Sequence, residues 1–236
     1  GRRRVANALA AAGFVETPSF GFTTEEQNDL HGSASGEHLP SVKLANPLDG
    51  QAPFLRRSLV PGLLQVAHRN QSRGLTDLAL FETGTVFLPA PGVRYGTTVI
   101  PPAAVRPDAA TLAALDASLP PQPRRIAVLL TGDRIAKQPG VAAEPFDLAD
   151  GVDAVRAIAG AAGVDVDIAQ AQRAALHPGR AGSVSVDGAE VGYVGELLPA
   201  GAAAADPPGG GVGPVTALHP RARAARTRGV RRCRSG

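Results

Sequence analysis

Four groups of residues in this chain carry side chains that could do chemistry. His177-Pro178-Gly179-Arg180 sets an imidazole and a guanidinium around a Pro-Gly pair, a combination that could hold an anionic ligand. Arg56 and Arg57, shortly before Pro61, could grip phosphate with their forked donors. Glu82 could serve as a general base, but no second acid at fixed spacing accompanies it, so a buried structural carboxylate paired with one of those arginines is the preferred reading. Asp147, Asp150 and Asp153 resemble a metal site only superficially, because at a helix start the same residues act as cap and dipole partners. Two alternatives stay open beside the chemical ones. For His177 to Arg180 the preferred reading is a turn ahead of a hairpin, with His177 bonding locally. Arg56 and Arg57 read as a subunit interface or a solvated helix face. The sequence contains no Gly-rich phosphate loop with a lysine, and no serine–histidine–acid grouping that can be placed together.

The elements that must position these residues follow from spacing and punctuation. Val5, Leu9 and Ala12 recur at helical spacing before Gly13, and the segment from Phe14 to Phe22 reads as a strand. Thr23 and Glu26 offer a capping box for a short helix toward Leu30, and a polar loop over 31–40 leads to a short strand over 42–45. Asn46-Pro47-Leu48-Asp49-Gly50 is a turn. Ser58 can then cap a helix with Pro61 near its start, Leu63, Leu64 and Val66 on its apolar side, and an end near Asn70. Residues 78–87 and 125–131 read as strands. Between them lies a Pro-rich stretch over about 89–123, a surface insertion with room for one short helix over 109–119. Asp147 or Asp150 caps a helix carrying Val152, Val155, Ile158 and Ala159, which ends near Gly160 or Gly163. Asp187-Gly188 is a type I′ signal joining strands at 183–186 and 191–194 into a hairpin. The sum is an α+β fold, an antiparallel sheet flanked by helices.

Composition narrows the classes. At 236 residues and 44% hydrophobic content the chain suits one domain with a single core, and no apolar run approaches membrane length. The three arginines over 2–4 precede too short an apolar stretch for a signal peptide. The single cysteine, Cys233, excludes a disulfide framework and a cysteine-cluster metal site. There is no methionine, so we expect a piece of a longer protein, and 22 arginines against 2 lysines suggest a GC-rich genome. The net charge of +3 misleads: seven arginines follow His219, and without them the remainder carries a formal −4. A nucleic-acid role for the globular part therefore has no support from charge. The arginine run lacks interleaved aromatics, so any RNA binding by it would be nonspecific.

Six blocks in order carry a resemblance. They are Asn46-Pro47-Leu48; Leu55-Arg56-Arg57-Ser58-Leu59-Val60-Pro61-Gly62-Leu63-Leu64; Phe81-Glu82-Thr83-Gly84-Thr85-Val86-Phe87; Phe146-Asp147-Leu148; His177-Pro178-Gly179-Arg180; and Gly192-Tyr193-Val194-Gly195-Glu196-Leu197. Over roughly residues 4–197 the chain resembles the β subunit of bacterial phenylalanyl-tRNA synthetase, in the part that imitates a class II synthetase catalytic domain. The composition is of actinobacterial type.

The resemblance implies a class II-like antiparallel sheet flanked by helices, over 1–198, that scaffolds an α subunit without catalysing. It implies an α2β2 ligase that charges tRNA with phenylalanine in the cytoplasm, using ATP and Mg2+ that belong to the whole enzyme, with none expected on this piece and tRNA met only through the holoenzyme. Catalytic, cofactor and metal residues are assigned to none. Asn46, Pro47, Arg56, Ser58, Pro61, Gly62, Glu82, His177, Arg180 and Glu196 are assigned to structural motifs or a subunit interface. The family's tRNA-binding-like, editing and anticodon-binding domains are missing from the sequence. Residues 199–236 turn to Ala, Gly, Pro and Arg without periodicity, and we expect a disordered tail created by a reading-frame shift near Leu198; resequencing that returned the same tail in an intact frame would sink this. The alternatives are a stand-alone synthetase-like interaction protein without activity, and a truncated product left unstable by an open sheet edge.

Overall fold

In the computed structural model, which describes residues 2–97 and 100–198 and the backbone of 212–218, α1 (Arg2–Ala11) buries Val5 and Leu9. It stops at Gly13, whose φ of +91° an L side chain rarely adopts. Two short strands follow, β1 (Val15–Glu16) and β2 (Phe22–Thr23). The single strand expected over 14–22 is therefore broken. Pro18 has no N–H for a ladder, and Ser19 is turned toward Glu82. Helix α2 (Glu25–Gly32) is capped by Thr24, whose hydroxyl accepts from Gln27 N at 3.2 Å. The expected cap, Thr23, is buried and pairs with Phe54 in β3 (Phe54–Leu55). The expected strand over 42–45 reduces to one bridge, Lys43 to Phe54.

Helix α3 (Val60–Gln71) begins one residue after Leu59, which caps it without a side-chain bond; Ser58 contributes its Oγ to Val60 N at 3.2 Å instead. Strand β4 (Leu78–Thr85) is followed by a long excursion holding α4 (Ala109–Ala117), which has no buried residue. The excursion closes where Val86 N donates to Pro123 O and Leu88 N to Pro121 O, then enters β5 (Arg124–Thr131). After β6 (Asp133–Ile135) and β7 (Glu144–Pro145), Asp147 caps α5 (Leu148–Ala162) in a reciprocal capping box with Asp150, and Gly163 ends it in the left-handed region. Strand β8 (Asp167–Gln170) precedes the hairpin of β9 (Leu176–Val186) and β10 (Ala189–Leu197), joined through Asp187 and Gly188 at φ +50° and +74°, as a type I′ turn requires.

The last strand, β11 (Val212–Leu218), corrects the expectation that no ordered element follows Leu198. It lies inside the seven-stranded sheet, whose order is β1-β4-β5-β11-β10-β9-β8, and pairs antiparallel with both β5 and β10. Pro214 hid it from a propensity reading. That proline sits at a register irregularity between Val212 and Val215, where a missing N–H costs the ladder little. The sheet is antiparallel except for β1 beside β4, and β11 fills the edge that ending at Leu198 would have opened. The arginine run lies outside the described residues.

Alternation along β5 divides the interior. Ala127 and Leu129 pack with Leu59, Val60, Leu63, Leu64 and Ala67 of the α3 region, while Ile126, Val128 and Leu130 pack with Val5 and Leu9 of α1 and with Ala154, Val155 and Ile158 of α5. Each fully buried Leu or Val there contributes about 1.5–3 kcal/mol. The result is helix on both faces of one sheet.

Candidate structural site and cleft

Two of the sequence blocks meet inside the protein. Arg56 Nη1 lies 2.8 Å from Glu82 Oε1, with the two side chains 8% and 5% exposed. Ser19 completes the group: its hydroxyl donates to Glu82 Oε2 at 2.6 Å and accepts from Arg56 Nη1 at 2.9 Å. Arg56 Nε donates to Thr85 O at 3.0 Å, and the Arg56 backbone bonds Gly21 O and Phe87 N. The carboxylate is thus fully partnered, and the guanidinium is turned inward rather than to solvent. Burial of such a pair is tolerated only with this degree of hydrogen bonding.

The glycines of the same blocks make room for it. A Cβ on Gly62 would lie 2.1 Å from Ser19 Oγ, and one on Gly84 would lie 2.4 Å from Arg56 Nη2. Pro61 is buried in the first turn of α3, so the Pro-Gly pair supplies a helix start that also lets Ser19 approach. Sequence reasoning named Arg56, Ser58, Pro61, Gly62 and Glu82 but missed Ser19, which lies in the segment read only as a strand.

The remaining assigned residues lie elsewhere. Asn46 is exposed and Pro47 half-buried in the turn, where Asp49 accepts from Gln51 N at 2.8 Å and Leu48 is 93% exposed. The expected turn over 177–180 is a correction: these residues belong to β9 and bulge out of register opposite Glu196, with Gly179 at φ +83°. His177 is exposed. Arg180 Nη1 reaches across to Glu196 Oε2 at 2.6 Å, a bond that raises the pKa of Arg180 above its ordinary value. Asp147 and Asp150 cap α5, Asp150 also meets Arg134 at 3.3 Å, and Asp153 pairs with Arg156 at 3.0 Å.

A cleft of about 320 Å³ opens beside Ser58, on the α3 face of the sheet. Arg57, Arg125, Arg173, Glu190 and Tyr193 line it together with Leu59 and Leu88. The Arg173 guanidinium lies 4.3 Å from the Tyr193 ring centroid and pairs with Glu190. Burial pushes the Tyr193 phenol up; Arg173 and a hydrogen bond with Ser58 pull the other way. Burial likewise lowers Arg57, offset in part by Asp29. Of these residues the sequence blocks contained Arg57, Ser58, Leu59 and Tyr193, and Arg125, Arg173, Glu190 and Leu88 fell outside them.

The fold is similar to that of an aminoacyl-tRNA synthetase. Two structures of pyrrolysyl-tRNA synthetase from Desulfitobacterium hafniense each superpose with a TM-score of 0.56 at 14% and 15% identity, covering 92% and 93% of this chain and 64% and 65% of theirs. The model of the phenylalanyl tRNA synthetase beta chain CLM domain matches residues 1–210, past the boundary drawn at Leu198, and the chain belongs to that family. It is 49% identical over 210 residues to the phenylalanine–tRNA ligase beta subunit of Leifsonia xyli, covering 88% of this chain and 25% of that protein. The subunit of Streptomyces avermitilis is 43% identical over 202 residues, covering 84% and 24%. The chain thus spans about a quarter of the length of these relatives.

Proposed function

We propose that this chain is the non-catalytic, class II-like module of a phenylalanine–tRNA ligase β subunit, scaffolding an α subunit in an α2β2 enzyme of the cytoplasm. That enzyme would charge tRNA with phenylalanine, and ATP and Mg2+ belong in this reading to the whole assembly. The observation that carries it is the Arg56–Glu82–Ser19 group. Arg56 and Glu82, from the two longest family blocks, bind each other inside the protein, where they support α3 and β4 rather than a substrate. Among the described residues no group of three or more His, Cys, Asp or Glu side chains could hold a metal ion, and Asp147 and Asp150 are engaged as caps, so no step is assigned to Mg2+ on this chain.

The exposed turn at Asn46 and the bulge carrying His177 and Arg180 are the surfaces we assign to partner contact. No helix among the described residues is long and apolar enough to cross a membrane. The purified chain should give no phenylalanine-dependent ATP–pyrophosphate exchange above background while melting cooperatively. Exchange by the chain alone would refute the non-catalytic reading.

A further inference from the structure

Arg57, Arg125 and Arg173 enter the cleft lining from three separate parts of the chain, above an apolar wall of Leu59, Leu88 and Ala127. Among the described lining residues Glu190 is the one carboxylate, and it pairs with Arg173. The lining therefore carries more positive than negative charge, although the globular part as a whole is acidic. Guanidinium forks match phosphate oxygens in geometry as well as in charge.

Two of the arginines are held before any ligand arrives. Arg173 is fixed between the Tyr193 ring and Glu190. Arg57 donates to Pro40 O through Nη1, and its Nε is buried without a partner among the described residues. A half-buried guanidinium is stabilised by an incoming anion, and preorganisation lowers the entropy lost on binding. The cleft volume of about 320 Å³ is at the small end of ligand sites.

We propose that this cleft binds a small organic phosphate, with Arg57 and Arg125 on the phosphate and the apolar wall against the organic part. This goes beyond the scaffolding role and needs no partner subunit.

The chain supplies its own reporter. It has no Trp and two Tyr, of which Tyr193 lines the cleft, so Tyr95→Phe leaves Tyr193 as the sole fluorophore. The full chain carrying Tyr95→Phe is titrated with n-butyl phosphate and, separately, with inorganic phosphate. We expect a saturable change in Tyr193 emission, tighter for butyl phosphate. Affinity should fall about tenfold in Arg125→Gln and in Arg57→Gln, the loss of one charged hydrogen bond. Arg156→Gln, outside the cleft, should leave it unchanged. A melting curve accompanies each variant; Arg125→Gln carries the test if Arg57→Gln, which loses the Pro40 contact, does not fold. The proposal is overturned by no saturable change up to about 10 mM, by equal affinity in the folded cleft variants, or by inorganic phosphate binding as tightly as butyl phosphate.

Discussion

Arg56 and Glu82 meet at 2.8 Å in the interior, joining the segment that starts α3 to the middle of β4. Two stretches that look like catalytic signatures in sequence are therefore one structural joint. Ser19 ties the segment between β1 and β2 to the same joint, so three separate parts of the chain depend on it.

Removing one partner leaves the other buried and unpaired. Glu82→Ala should lower unfolding free energy by about 3–5 kcal/mol. The double change Arg56→Met with Glu82→Leu should cost much less than either charge deletion alone. Urea unfolding of the three proteins measures this, and a loss below about 1 kcal/mol for Glu82→Ala would contradict a fully engaged pair.

Gly62→Ala tests the close approach of Ser19. On a helix, alanine is ordinarily better than glycine by about 1 kcal/mol. Here its Cβ would sit 2.1 Å from Ser19 Oγ, so we expect a net loss of about 1–3 kcal/mol. Adding Ser19→Gly removes the clash, and the double variant should be more stable than the sum of the two single changes.

Asp147 accepts from Ala149 N at 2.8 Å and Asp150 N at 3.2 Å at the head of α5. Asp147→Ala should cost about 1 kcal/mol, and Asp147→Asn considerably less, in thermal unfolding. Equal losses for both would point away from capping.

His38 Nδ1 lies 3.0 Å from Asp29 Oδ2, and that bond, with the carboxylate charge, raises the histidine pKa above the ordinary 6.5. The folded state then holds the proton more tightly than the unfolded one. Any stability from the pair is present below pH 6.5 and fades as pH rises through the raised folded value. An NMR titration should place the His38 midpoint above 6.5 and return it toward that value in Asp29→Asn; a wild-type midpoint at or below 6.5 would contradict the assignment.

Periodicity and caps made much of this legible. The α5 helix, the β9–β10 turn and the alternation of β5 each rest on local patterns that tertiary packing reinforces. The pairing of Glu82 with an arginine was also readable, since an isolated buried carboxylate needs a cation. Ser19 was not, because nothing local marks a serine brought to Glu82 by long-range packing. Strand β11 was missed for a similar reason: Gly213 and Pro214 lower its propensity, while its place between β5 and β10 is fixed by pairing on both sides. Of the cleft arginines only Arg57 lies in a sequence block; Arg125 and Arg173 come from distant positions and left no linear motif.

The scaffolding role is tested most directly by co-expressing the chain with its cognate α subunit and measuring the mass of what co-purifies. We expect the two to elute together as one complex. A chain that melts cooperatively yet elutes alone, with the α subunit in separate fractions, would contradict it.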